Sequence, residues 1–400
     1  MTRTLTQSLR QIPSAVWVLG LVSLFMDLSS EMIHSLLPLF MVTALGTSTT
    51  MVGVVEGLAE SLALIMKVFS GTVSDYLGTR KWLAVGGYAL GALSKPLFAV
   101  ASGGSLVLTA RLIDRVGKGI RGAPRDALVA DLTPSTMRGA AFGLRQSLDT
   151  IGAFMGPVVA VGFMVLWAGD FRAVFWLAVI PGVISVTLLL VGIREPAEPR
   201  TQPRTNPIRY ETLARLLKPY WSIVGIGALF TLARFSEAFL VLRGQEEGIP
   251  IALAPLVMVA MNVMYACSAY PFGHLSDRMR HTTLLTWGLL VLIAADLVLG
   301  LSAHWSLVGI GVMLWGVHMG MTQGLLATMV AETAPADLRG TAFGIFNLAS
   351  GVAMLCASLI AGVVWDVLGP SWTFYTGAVF AVLAMTAVQV GPRLECATPY

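Results

Sequence analysis

The stretch DLTPSTMRGAAFG at residues 131–143 recurs as ETAPADLRGTAFG at residues 332–344, a shift of 201 residues. A shorter match, GTVSD at residues 71–75 with GHLSD at residues 273–277, lies at a shift of 202 residues. Two matches at nearly one shift indicate an internal duplication. The sequence therefore predicts two similar halves of roughly equal length.

Charged residues are scarce along the whole chain. Lysine, arginine, aspartate and glutamate make up 12% of the 400 residues, 56% are hydrophobic, and the mean hydropathy is +0.77. A soluble domain is about 25% charged, so this chain cannot cover a water-exposed surface with charge. The net charge of +4 comes from basic residues that form no patch, which argues against a nucleic-acid partner. A lipid bilayer is the expected environment.

Apolar runs of transmembrane length define the architecture. A helix that crosses a bilayer core of about 30 Å needs roughly 20 apolar residues. This rule predicts an all-α integral membrane protein whose twelve transmembrane helices form two six-helix repeats around a central cavity. The predicted spans are 15–43, 51–74, 82–102, 105–129, 139–167, 172–193, 219–243, 250–275, 282–301, 305–331, 340–366 and 371–391.

Residues 194–218 are rich in proline and basic residues and cannot span lipid, so they are predicted to link an N-terminal half, 1–193, to a C-terminal half, 219–400. With these spans, 15 lysines and arginines lie in the termini and even-numbered connections, whereas two, Arg172 and Arg243, lie at the span ends that adjoin odd-numbered connections. The positive-inside rule then predicts a multi-pass plasma (inner) membrane protein with both termini and the linker in the cytoplasm.

The connection between spans 2 and 3 carries the most specific motif. Gly71, Asp75, Gly78, Arg80 and Lys81 fit the pattern G-x-x-x-D-x-x-G-x-R-K. This pattern resembles motif A of the major facilitator superfamily, and the resemblance extends over essentially the whole chain. It implies a transporter in which the charged residues of the motif contact helix ends. The second copy of the motif retains its acid, Asp277.

Two further motifs refine the resemblance. Arg111 in span 4 occupies the place of the motif B arginine, which the family links to proton coupling. Gly152, Gly156 and Pro157 in span 5 resemble motif C, the signature of the drug:proton antiporter branch. The resemblance therefore implies an antiporter that exports its substrate.

Span 1 carries the residues best suited to handle protons. Asp27, Glu31 and His34 are spaced i, i+4 and i+7, which places them on one helix face. Ionisable groups within a membrane are costly and mark functional sites. Asp27, Glu31, Arg111 and Asp149 are the predicted proton-coupling residues, with Glu31 slightly favoured over Asp27.

Other polar residues within spans are predicted to line the substrate cavity, since a lipid-facing helix would not tolerate them. The predicted cavity residues are His34, Arg121, Arg125, Arg145, Arg234, Glu237, His318 and Gln323.

The duplicated stretches carry a predicted cytoplasmic charge network. Asp131 and Arg138 flank one turn, and Glu332 and Arg339 flank the repeat-related turn. The family resemblance implies that such acids meet the basic residues of motif A and hold the cytoplasmic side closed.

These features favour a proton-coupled secondary transporter that exports a small molecule by alternating access. The arginines leave open a proton symporter that imports an anionic metabolite, and the face formed by Asp27, Glu31 and His34 leaves open export of a metal ion or chelate.

The sequence contains no Gly-x-Ser-x-Gly, His-Glu-x-x-His or Walker A motif, which argues against an enzyme. No cofactor and no resident metal are predicted; the expected partners are protons, a small-molecule substrate and lipid, and the expected state is a monomer.

Overall fold

The computed structural model describes residues 12–77, 80–134, 137–194, 216, 218–276, 279–322, 324–334 and 338–390, and helices dominate them. The all-α class predicted from the sequence is confirmed. The chain divides into two compact units. The first comprises Met1–Phe40 and Ile65–Arg204, and the second comprises Met41–Leu64 and Thr205–Tyr400.

Six long helices occupy the positions of the first six predicted spans. They are α1 (Ser14–His34), α2 (Thr49–Leu77), α3 (Arg80–Ala99), α4 (Gly104–Asp131), α5 (Arg138–Leu166) and α6 (Phe171–Gly192). Residues of α2 up to Leu64 pack in the second unit. In the first unit, α1 packs along α5 and α6, and α3 packs along α4.

The later spans also coincide with helices, and some of these are interrupted. They are α7 (Lys218–Leu232), α8 (Ala238–Glu246), α9 (Leu256–Ser276), α10 (His281–Leu301), α11 (Trp305–Thr322), α12 (Leu325–Thr333), α13 (Arg339–Leu368) and α14 (Pro370–Val390). Span 7 thus consists of α7 and α8, and span 10 consists of α11 and α12.

The interruption of span 7 leaves residues 233–237 outside regular helix. Side chains replace the missing helical hydrogen bonds there. The backbone N–H of Ser236 donates to Oγ of Ser358 at 3.3 Å, and Oγ of Ser236 accepts from the N–H of Ala238 at 3.2 Å. Irregular backbone at membrane depth is tolerated where protein buries it or a cavity lies beside it.

Nine helical segments within the described residues are long and apolar enough to cross a membrane. The segment Gly104–Asp131 is not among them, because it carries eight charged residues. Its polar side chains are instead directed into the first unit, where Arg111, Asp114, Arg115 and Arg121 are all buried. Burial against other helices makes this charge density compatible with a membrane-spanning bundle.

Small residues bring the first half of α2 against α13 in the second unit. A Cβ atom at Gly53 would lie 2.2 Å from the carbonyl oxygen of Ser358, and one at Gly362 would lie 2.7 Å from that of Thr49. Only residues without a side chain permit this backbone approach, as in other close-packed membrane helices.

Candidate functional site

A buried ion pair lies between α3 and α4 in the first unit. Nζ of Lys95 lies 2.7 Å from Oδ1 of Asp114 and donates a second hydrogen bond to Oγ of Ser30 at 2.9 Å. The Lys95 side chain has no solvent exposure, and that of Asp114 is 2% exposed. Two charges at such depth are tolerated only because each has a partner of opposite sign.

His34 connects this ion pair to Glu31. Its Nδ1 lies 3.5 Å from Oε1 of Glu31, and its Nε2 lies 3.4 Å from Oδ2 of Asp114. Arg115 also approaches Nδ1 through a terminal nitrogen at 3.4 Å. The Nε2 contact is close enough for charge interaction but lacks hydrogen-bond alignment. The imidazole therefore stands between two acids, as a group that exchanges protons with both of them would.

A second cluster of charges lies on α1, α4 and α5, where Oδ1 of Asp27 is 3.7 Å from Arg121. The Arg121 guanidinium also lies over the ring of Tyr88, 4.8 Å from its centroid. The hydroxyl of Tyr88 is 3.3 Å from Oγ of Ser23. The two predicted residues Asp27 and Arg121 are therefore neighbours in one polar cluster.

Three more of the predicted residues complete this second cluster. Oδ1 of Asp149 lies 3.6 Å from Arg125, and Oδ2 lies 3.9 Å from Arg145, one turn earlier on α5. Asp126, which is not one of the predicted site residues, lies 3.1 Å from Arg125 and 3.7 Å from Arg145. Three arginines and three aspartates thus lie together in this cluster. A proton or a charged ligand that entered the cluster would change the forces between its members.

The glycines of the predicted motif C position α5 against α1. A Cβ at Gly156 would lie 2.6 Å from Cβ of Glu31, and one at Gly152 would lie 2.4 Å from the carbonyl oxygen of Leu24. Pro157 lies inside α5, directly after this contact. The motif therefore determines how closely the helix approaches Glu31.

In the second unit the predicted residues lie around the interruption of span 7. The Arg234 guanidinium lies over the ring of Phe230, 5.6 Å from its centroid, and Glu237 precedes the first residue of α8. His318 is fully buried, with Nδ1 2.7 Å from the carbonyl oxygen of Gly288. The structure brings Arg234 and His318 to the same aromatic ring, since the centroids of Phe230 and His318 are 5.5 Å apart.

Two contacts of the predicted charge network are described, and the second involves His281, which was not one of the predicted residues. Arg80, the first residue of α3, contacts Asp131, the last residue of α4, at 2.5 Å. His281, the first residue of α10, lies 3.5 Å from Glu332 in the last turn of α12. Because each residue of the second pair follows its counterpart by 201 positions, these contacts are repeat-related. Lys81 donates a hydrogen bond to the carbonyl oxygen of Leu190 at 2.9 Å.

Several predicted residues fall outside the described part of the chain. Gly78, Asp277 and Gln323 lie outside the described residues, as do the side-chain positions at Gly71, Asp75, Arg138 and Arg339. Arg111 is described and is buried on α4. Among the described residues, no group of three or more histidine, cysteine or acidic side chains has an arrangement that could hold a metal ion.

Lys95 was not among the site residues predicted from the sequence. Its contact with Asp114 is nevertheless the shortest charged contact in the series Glu31, His34, Asp114 and Lys95. One signal was available, since Lys95 is the single charged residue within the predicted span 82–102. Its partner could not be deduced, because Asp114 was one of many charges in span 4.

Comparison with known proteins identifies the family. The model of the Major Facilitator Superfamily matches residues 19–349 and 229–393. An uncharacterized transporter of this type from Methanocaldococcus jannaschii is 31% identical over 94% of both chains. The inner membrane transport protein YajR of Escherichia coli is 22% identical over 94% of this chain and 82% of its own. The quinolone resistance protein NorA of Staphylococcus aureus is 23% identical over 76% of this chain and 78% of its own.

Solved structures agree on the fold. The nucleoside transporter NupG superposes with a TM-score of 0.75 at 14% identity and covers 94% of this chain and 98% of its own. A D-xylose–proton symporter superposes with a TM-score of 0.72 at 17% identity over 96% and 99%. With its apolar helices, its repeated halves and these relatives, the chain is an integral inner-membrane protein that belongs to the Major Facilitator Superfamily of transporters.

Proposed function

We propose that this protein is a proton-coupled secondary transporter that exports a small molecule by alternating access. The observation that carries the proposal is the buried series of contacts from Glu31 through His34 to Asp114 and Lys95. A histidine between two acids suits proton transfer, because it can accept a proton from one side and donate it on the other. The relative NorA is named a quinolone resistance protein, and a transporter can confer resistance to a drug by removing it from the cell, which supports export.

In this proposal Glu31 takes up the proton and His34 passes the charge change to the Lys95–Asp114 pair. Protonation of Asp114 would remove the charge that holds Lys95, so the contact between α3 and α4 weakens as the proton arrives. Such a dependence of packing on protonation is what couples a proton to a conformational change. Asp27 of the second cluster lies on α1 together with Glu31 and His34, so a movement of α1 would change its contacts with Arg121 as well.

The topology completes the proposal. Twelve spans, with halves at 1–193 and 219–400, follow from the lengths of the apolar runs. The positive-inside rule then predicts that the linker at 194–218 and both termini are cytoplasmic. Parallel six-helix repeats in this family lead to a substrate site between the halves, and the protein acts as a monomer.

The test uses protein reconstituted in liposomes preloaded with ethidium, a fluorescent organic cation. We expect external acidification to accelerate ethidium exit from liposomes with the wild-type protein. Glu31→Gln should abolish this acceleration, because an amide matches the neutral acid in shape and cannot exchange a proton. The control is Glu246→Gln, which removes an exposed acid of the second unit.

Two outcomes would refute the proposal. Full acceleration in both Glu31→Gln and Asp27→Asn would exclude α1 as the proton site. Accumulation of probe together with protons, instead of exchange against them, would identify a symporter and favour import. The same flux measurement is made with a panel of organic anions. It distinguishes a symporter, which would accumulate an anion together with protons, from a transporter that does not accept ethidium.

A further inference from the structure

Asp296 on α10 is a carboxyl group with no visible partner. Its side chain has no solvent exposure, and neither oxygen has a hydrogen-bond partner among the described residues. An ionised carboxylate in such surroundings is strongly unfavourable, whereas a neutral carboxylic acid is tolerated. Geometry alone therefore indicates that the group holds a proton in this conformation.

The internal repeat relates Asp296 to a charged residue of the first unit. It follows Lys95 by 201 residues, and Trp315 follows Asp114 by the same shift. In the first unit these positions form the buried ion pair, with 2.7 Å between Lys95 and Asp114. In the second unit the repeat-related positions hold an acid and an indole, and Nε1 of Trp315 also has no partner among the described residues. The acid thus lacks the cation that a structural ion pair would supply.

The interruption of span 7 lies next to this acid. A Cβ at Gly377 on α14 would lie 2.8 Å from Oδ2 of Asp296 and 2.9 Å from Cε1 of Phe235, so the acid and that ring border the same small space. Phe235 also packs on Trp315 and Phe374, with centroid distances of 5.3 and 5.6 Å. Because Phe235 belongs to the irregular residues 233–237, it can move without breaking a regular helix.

Other ionisable groups on the neighbouring elements are engaged elsewhere. Arg243 of α8 donates to the carbonyl oxygen of Leu299 at 3.1 Å and pairs with Glu247 at 3.0 Å. His318 of α11 contacts the carbonyl oxygen of Gly288. The remaining ionisable groups on the elements around Asp296 are Arg234, Glu237, Glu246, Tyr375, Glu332 and, on α10 itself, His281.

We propose that Asp296 is a second proton-binding site, which the movement of Phe235 and the irregular segment 233–237 alternately covers and opens to water. This inference rests on the proposed proton coupling and adds a carrier in the second unit. The bound species is a proton: Asp296 is a carboxylic acid when covered and releases the proton to water when opened.

Infrared spectroscopy of the reconstituted protein tests this inference without any substrate. Protein labelled with ¹³C at the aspartate carboxyl carbon gives an isotope-shifted C=O band for each protonated aspartate. Asp296→Asn identifies the band of Asp296, and Asp296→Glu identifies it if the amide variant fails to fold, because glutamate carries no label. We expect the band at neutral pH, and we expect it to shift when H₂O is replaced by D₂O as the carboxyl proton exchanges.

Two variants test the role of the ring. Phe235→Ala should speed the exchange severalfold, whereas Phe230→Ala, which alters the ring beside Arg234 and His318, should not. A band that never shifts in D₂O would show a permanently sealed, structural acid and overturn the proposal. Absence of the band at neutral pH, with or without sodium chloride, would show an ionised group and overturn it as well. Absence of gradient-driven flux in the wild-type protein would refute the proposed function, but it would leave this exchange measurement intact.

Discussion

The carboxylate of Asp366, near the end of α13, accepts a hydrogen bond of 2.7 Å from the backbone N–H of Thr50 in the first turn of α2. It also accepts from the hydroxyl of Thr50 at 2.5 Å and from the backbone N–H and hydroxyl of Thr49. The first N–H groups of a helix lack intrahelical partners and attract negative charge. Asp366 therefore caps the start of α2, although it lies 316 positions from Thr50 in the chain.

Asp366→Asn should loosen the start of α2. The amide has one acceptor oxygen in place of two and no charge, so we expect a loss of about 0.5–2 kcal/mol, the range for a helix cap. Hydrogen–deuterium exchange should accelerate at residues 49–53 and the melting temperature in detergent should fall.

The matched control for this prediction is Glu246→Gln. Glu246 lines the same cavity of about 380 Å³ as Asp366, Thr49 and Thr47. If hydrogen–deuterium exchange at residues 49–53 accelerated equally in both variants, the general negative charge of the cavity, and not the cap, would stabilise α2.

Lys95 and Asp114 should show strong coupling in stability. Lys95→Met removes the cation nearest to the buried Asp114 carboxylate, and Asp114→Leu removes the acid that pairs with the buried Lys95 ammonium, so each should cost about 3–5 kcal/mol. The double variant should be more stable than either single variant, because neither member of the pair is then left without the other. Thermal unfolding of the four proteins measures the coupling energy. Additive losses would mean that the two charges do not depend on each other.

The sequence predicted the helices well because each depends on a local property. An apolar run of about 20 residues must form a helix in lipid, since every backbone hydrogen bond then closes within the segment. The interruption at residues 233–237 was missed because span 7 is apolar up to Ala233 and holds neither glycine nor proline at residues 233–237. Its stabilising contact, from Ser236 to Ser358, comes from a residue 122 positions away.

The site was predicted less completely, and the reason is again distance along the chain. The i, i+3 contact of Glu31 with His34 follows from helix geometry. The contact of His34 with Asp114 could not be predicted, because the charges of span 4 do not show which face of α4 meets α1. The cap on α2 by Asp366 has no local signal at all, since the acid lies on a different helix.

Arg80→Ala should reduce transport more than stability. Its partner Asp131 is partly exposed, and such pairs typically contribute no more than about 1 kcal/mol. If the contact closes the cytoplasmic side, its loss changes the balance of conformations and lowers gradient-driven flux. The exchanged pair, Arg80→Asp with Asp131→Arg, should recover part of the flux. Equal loss in the single and the exchanged variants would show that the arginine acts through something other than Asp131.

The contact of α5 with α1 gives the most direct test of the motif C glycines. Gly156→Ala would place a methyl group 2.6 Å from Cβ of Glu31 and 3.1 Å from the carbonyl oxygen of Leu28, so the helices must separate or Glu31 must move. Overpacking of this kind costs about 1–3 kcal/mol. We therefore expect a lower melting temperature together with reduced gradient-driven flux.

Gly162→Ala on the same helix is the matched control, because a Cβ there meets no atom within 4 Å. It adds the same methyl group and the same preference for helix, so it should leave melting temperature and flux unchanged or raise stability slightly. The difference in melting temperature and flux between the two variants therefore measures the effect of the close approach to Glu31, apart from any general effect of alanine in a helix. If Gly156→Ala matched Gly162→Ala in both measurements, α1 and α5 would not need this approach, and motif C would have to act through Pro157.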